Sequence, residues 1–157
     1  WTVRAKTLQG EMPLGSRVTL RTGRHWDQQR SWLMQNYPTN LRWHIPIKEQ
    51  AMKPGLLGLL YRIFAELRIR HWGAQHKDQL LGVLTWQATR THADHIWLAA
   101  PPETEEMALQ TILPFIRQEY RLQRPLSLEY PAGRGQDILL AAGFEPQHTL
   151  IWMKVKP

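Results

Sequence analysis

Along this chain the apolar residues switch period repeatedly, and the order of those switches leaves few folds open. Arg17-Val18-Thr19-Leu20-Arg21 alternates and is β-branched, which predicts a strand. From His25 to Met34, Trp26, Arg30 and Leu33 follow helical spacing, with Asp27 near the start and Asn36-Tyr37-Pro38 as a stop. Leu41 to Ile47 is short and interrupted by Pro46. Pro54 suits the first turn of a second helix, in which Leu56, Leu59, Leu60, Ile63, Phe64 and Leu67 form a stripe expected to face the core. Arg68–Gln75 and Leu80–Gln87 then predict a hairpin around the polar loop His76–Gln79. His95–Ala100 predicts a further strand, stopped by Pro101-Pro102.

Thr104 is expected to cap the next helix, where Leu109, Ile112, Leu113, Ile116 and Tyr120 share a face and Pro114 predicts a kink. Leu126–Tyr130 alternates again, Gln136–Ala142 is helical up to Gly143, and Thr149–Lys156 predicts a closing strand. Strands and helices in this order make an α/β domain with a mixed sheet.

With 157 residues and 43% apolar content, one domain with a sizeable core is the expectation. The boundaries expected are an N-terminal strand and linker over 1–16 and the domain proper over 17–157. Trp1-Thr2-Val3-Arg4-Ala5-Lys6 faintly echoes Trp152–Lys156, which suggests the end of an upstream sister domain. With no cysteine there is no disulfide, thiolate metal site or cysteine nucleophile, which fits a reducing, cytoplasmic setting. No apolar run approaches the roughly 20 residues of a membrane span, so no membrane partner is expected. The net charge of +7 is scattered, and the eight tryptophans lie in periodic apolar segments, which argues against nucleic acid as a partner. Neither a Gly-x-Ser-x-Gly elbow nor a Gly-x-x-x-x-Gly-Lys loop is present.

The element order, the run Leu80-Leu81-Gly82-Val83-Leu84, and the ending Ala141-Ala142-Gly143-Phe144-Glu145 before Leu150-Ile151-Trp152-Met153-Lys154 together resemble the GNAT acyl-CoA-dependent N-acyltransferases from Arg17 to Val155. The resemblance implies a mixed, mostly antiparallel central sheet flanked by helices. It implies acetyl-CoA as co-substrate, no metal, and transfer of the acetyl group to a small-molecule or peptide amine. In that family the cofactor enters a V-shaped opening between the fourth and fifth strands, here His95–Ala100 and Leu126–Tyr130. Splayed strands expose backbone groups that can pair with the amide-rich pantetheine arm. By resemblance the backbone of Leu98, Ala99 and Ala100 would take that arm, and that of Met107 and Ala108 the start of the next helix.

Two positions depart from the family pattern. Where a glycine-rich loop usually receives the pyrophosphate, the chain reads Pro101-Pro102-Glu103-Thr104-Glu105-Glu106, with no glycine, two prolines and three carboxylates. Unit charges 4 Å apart interact by about 4 kcal/mol at a surface dielectric near 20, so those carboxylates would repel a diphosphate. Four residues before Gly143, where the family often places an acid tyrosine, stands Leu139.

The remaining catalytic candidates are Tyr130 as acid, Glu129 as base, and Asp94 as base within His92-Ala93-Asp94-His95, whose spacing offers no full metal-ligand set. Gly133-Arg134-Gly135 is a basic turn between a strand and a helix, a geometry that suits either an anion or a plain connection. Two functions fit: a divergent acetyltransferase, or a GNAT-shaped binding or structural domain without catalysis, paired with a sister domain or a second copy.

Overall fold

The computed structural model describes residues 1–4, 10–38, 45, 47–119 and 124–149, with residues 117–119 described by backbone alone. Among the described residues six strands form one sheet in the order β1-β6-β5-β4-β3-β2. They are β1 (Thr2–Arg4), β2 (Ser16–Leu20), β3 (Ile69–His76), β4 (Gln79–Gln87), β5 (Asp94–Ala99) and β6 (Pro125–Leu128). Every pairing is antiparallel except β5 with β6. The helices are α1 (Trp26–Asn36), α2 (Glu49–Met52), α3 (Gly55–Phe64), α4 (Glu105–Glu119) and α5 (Gln136–Ala141). The architecture is the mixed, mostly antiparallel sheet flanked by helices that the resemblance implied. No described helix is long and apolar enough to cross a membrane.

The β3–β4 hairpin is tighter than the loop expected from sequence, because His76 already pairs with Gln79 and only Lys77 and Asp78 make the turn. Lys77 takes φ of 53°, the left-handed geometry that short hairpin turns use. On β4, Gly82 lets α4 approach closely: a Cβ there would lie 2.9 Å from the Ala100 Cβ and 3.0 Å from the Ala108 Cβ. The expected stripe of α4 is inward, with Leu109, Ile112, Leu113 and Ile116 buried against Trp72, Leu84, Ile96 and Leu98. Tyr120, and the closing strand beyond Thr149, fall outside the described residues, as does most of Leu41–Ile47.

The C-terminal end of α5 follows the sequence reading. Gly143 has φ of 90°, its N–H bonds to the Leu140 carbonyl at 2.9 Å, and the Phe144 N–H bonds to the Leu139 carbonyl at 2.9 Å. That double bond pattern, with Leu139 and Phe144 both buried, is a Schellman stop.

Three expectations change. Residues 2–4 pair antiparallel with β6, Val3 opposite Leu126, so this segment is a strand of the domain's own sheet. In α1 the inward stripe is Gln29, Leu33 and Asn36, while Trp26 is half-buried and Arg30 exposed. Thr104 stands directly before α4, as expected, and its hydroxyl also donates to the Leu81 carbonyl at 2.6 Å, tying the start of α4 to β4. Most consequentially, the apolar stripe of α3 faces solvent, with Leu57 80% and Phe64 85% exposed. The inward side of α3 carries Gly58 and Arg62 instead. A Cβ at Gly58 would lie 2.0 Å from the Lys53 carbonyl oxygen, and Arg62 Nη1 donates to the carbonyls of Ala51 at 2.8 Å and Lys53 at 3.2 Å.

Candidate functional site

Strands β5 and β6 run parallel through the pairs Asp94–Leu126, His95–Ser127 and Ile96–Leu128, and the pairing ends there. Beyond it, Trp97–Ala100 on one side and Glu129–Tyr130 on the other border an opening at the C-terminal ends of the two strands. Ends of parallel strands with unpaired backbone are a natural ligand position in α/β sheets.

Side chains of the same molecule already occupy this opening. Asn36, the last residue of α1, donates its amide to the Leu98 carbonyl at 3.2 Å and the Ala100 carbonyl at 3.1 Å. The next residue, Tyr37, donates its hydroxyl to the Glu129 carbonyl at 3.0 Å, so α1 bridges both strands of the V. Asn36 and Tyr37 are each 2% exposed, which shields these bonds from competing water.

The start of α4 is closed in a similar way. Of the three carboxylates around its start, Glu103 and Glu106 face solvent and Glu105 turns inward, 4% exposed. The turn Gly133-Arg134-Gly135 delivers Arg134 onto it: Nε donates to Glu105 Oε2 at 2.8 Å, and Nη2 makes a second, shorter contact to the same oxygen. Arg134 Nη1 also donates to Asn36 Oδ1 at 3.0 Å, which joins the two closures into one network. Gly135, with φ of 57°, keeps the turn close: a Cβ there would lie 2.8 Å from Leu109 Cδ1 and 3.4 Å from Glu105 Oε1. A carboxylate at the positive end of a helix, paired with a guanidinium, is a favourable arrangement in its own right.

The Arg134 guanidinium also lies over the Tyr130 ring, 5.7 Å from its centroid. Burial, reinforced by the neighbouring Glu105 carboxylate, pushes the Tyr130 hydroxyl well above its ordinary range and keeps it protonated. Neither the Tyr130 hydroxyl nor Glu105 Oε1 completes a well-formed hydrogen bond. Burial likewise pushes the Tyr37 phenol up.

The candidates from sequence are thus divided. Glu129 and Tyr130 border the opening, Glu129 contributing its backbone carbonyl. Leu98, Ala99 and Ala100 are buried there, with the carbonyls of Leu98 and Ala100 engaged by Asn36. The Ala108 N–H is bonded to the Thr104 carbonyl at 2.8 Å, inside the helix, and the Met107 side chain is partly exposed. Asp94 lies at the paired end of β5, roughly 20 Å along the strand from Ala100. There its Oδ1 accepts the Thr89 N–H at 3.1 Å and meets Arg124 Nε at 3.6 Å, a loop-fastening role. His95 stacks on Trp97 at 5.7 Å, and burial lowers its pKa. No group of three metal-ligating side chains forms among the described residues. Leu139 is fully buried in the core, turned away from any proton transfer.

Asn36, Tyr37 and the Arg134–Glu105 pair were not identified from sequence as one site. The available signals were a polar residue at an inward helical position and a basic turn suited to an anion. A cleft of about 630 Å³ reaches Pro101 and Thr104 but none of Leu98, Ala99, Ala100 or Tyr130.

No family profile matches the chain, and no curated protein matches it in sequence. Its fold, however, is shared with solved structures. One is a GCN5-related N-acetyltransferase from Kribbella flavida, with a TM-score of 0.58 and 12% identity over 92% of this chain. This chain spans 52% of that protein's length. Another is described as a probable acetyltransferase, with a TM-score of 0.50 and 14% identity over 86% of this chain and 81% of the other. The parallel β5–β6 opening, the α4 crossover between those strands and these likenesses agree: the chain has the fold of the GCN5-related N-acetyltransferases.

Proposed function

We propose that this is a GNAT-fold binding or structural domain whose acyl-CoA groove is closed by its own side chains. The observation that carries this reading is the Asn36 amide on the Leu98 and Ala100 carbonyls, locked by Arg134 and Glu105. A pantetheine arm pairing with β5 would have to displace two buried hydrogen bonds, worth about 1 kcal/mol each. A diphosphate at the start of α4 would have to break a buried ion pair, whose disruption costs about 3–5 kcal/mol. Together these oppose acyl-CoA by about 5–7 kcal/mol, or roughly four to five decades in affinity.

One observation favours a second reading, a divergent acetyltransferase acting on a small-molecule or peptide amine. The Tyr130 hydroxyl carries a proton and lies by the opening, the position from which an acid would serve a departing CoA thiolate, although the burial and the Glu105 carboxylate that raise its pKa work against that transfer. Glu129 would then be the nearest candidate base.

A thermal-shift titration with acetyl-CoA separates the two. A ligand at 100 times its dissociation constant adds about 2.7 kcal/mol, easily read as a rise in Tm. We expect no shift up to millimolar acetyl-CoA. A saturable rise, together with release of free CoA thiol in the presence of an amine, would overturn our reading in favour of transfer.

A further inference from the structure

Helix α3 is built the wrong way round for a monomer. At 100° per residue, Leu56, Leu57, Leu59, Leu60, Ile63 and Phe64 fall within an arc of about 160°. All six face solvent, with exposures running from 39% at Leu60 to 85% at Phe64. The opposite side holds Gly58, which lets the helix lie against Lys53, and Arg62, whose guanidinium is held by the carbonyls of Ala51 and Lys53. The helix is therefore fixed to the protein by its small and polar side, and its apolar side is left uncovered.

The size of that side decides what it needs. Six such residues at these exposures present on the order of 700 Å² of surface, above the roughly 300–600 Å² of the largest patch on a typical monomer. A standard protein–protein interface buries a similar area, about 800 Å² per partner. Its chemistry narrows the occupant. Helices that lie on membranes display Lys or Arg on the polar face to meet anionic headgroups. The single cation of α3, Arg62, is turned inward onto backbone carbonyls. The exposed arc itself carries no charge, so two copies of it can meet without opposing like charges even though the chain carries a net +7. A patch complementary to itself closes naturally about a two-fold axis.

We propose that the outward face of α3 is an interface with a second copy of this chain, packed α3 against α3 about a two-fold axis. The proposal is independent of whether the β5–β6 groove takes acyl-CoA, since α3 contributes no residue to that network.

Sedimentation-velocity analysis across a micromolar dilution series tests it, with Leu57→Glu and Leu14→Glu as a matched pair. Both positions are highly exposed and both changes add one negative charge, but Leu14 lies beyond the other end of β2 from α3. Far-UV circular dichroism of each variant confirms folding. The expected result is a dimer that Leu57→Glu weakens about a hundredfold or more and Leu14→Glu leaves intact. A native chain that stays monomeric through the series overturns the proposal, as does a dimer indifferent to Leu57→Glu. A monomer that co-sediments with phosphatidylserine-containing vesicles, and loses them with Leu57→Glu, overturns it in favour of a lipid surface.

Discussion

In α4 the apolar residues at helical spacing, Leu109, Ile112, Leu113 and Ile116, are packed against the sheet, whereas in α3 the same kind of stripe, Leu56 to Phe64, faces water. The patterns are alike, so periodicity does not decide burial. Connectivity does. Helix α4 lies in the crossover between the parallel neighbours β5 and β6, and such a crossover has to pass over one face of the sheet. Gly82 then removes the side chain that would hold it off. Helix α3 lies between the short α2 and the start of β3, and no crossover presses it onto the sheet. It is attached by the contacts of Gly58 and Arg62. An apolar stripe says that a helix face needs a partner, and topology says whether the partner lies within the chain.

Three substitutions can break or sharpen this contrast. The largest effect is expected for Ile112→Ala in α4, about 2–5 kcal/mol less stable in urea unfolding, because it opens a cavity under a fully buried side chain. A loss below about 1 kcal/mol would mean that α4 is held more loosely than its burial indicates. An intermediate effect is expected for Gly58→Ala. The added methyl would meet the Lys53 carbonyl at 2.0 Å and push α3 off its seat, at a cost of about 1–3 kcal/mol. Hydrogen exchange should locate that loss in α3 and α2 and leave β3 to β5 protected. The smallest is Leu57→Ser, within about 0.5 kcal/mol when measured at concentrations dilute enough to hold the chain monomeric. A loss of about 2 kcal/mol there would show that the α3 face is covered within one chain.

The groove repeats the lesson at the scale of single side chains. That the region 101–106 and position 139 depart from the GNAT pattern was readable directly, because those are local facts about residue type. That Glu105 alone of three carboxylates turns inward was not, since its partner Arg134 is 29 residues away. Asn36 reads as a helix-stop residue, and its actual task depends on carbonyls 62 and 64 positions along the chain. The Gly133-Arg134-Gly135 turn reads from sequence as either an anion site or a plain connection, and the anion it meets is the protein's own carboxylate.

By itself the sequence determined most of the described elements and their order, though not α2, together with the hairpin, the Gly143 stop and the presence of an apolar face on both α3 and α4. Those follow from backbone preference and from periods of two and 3.6 residues, which act over a few neighbours. Only the tertiary structure decided which apolar face is covered, which carboxylate is paired and what fills the space between β5 and β6. These depend on contacts between distant segments, where chain path and close packing choose among partners that local patterns describe equally well.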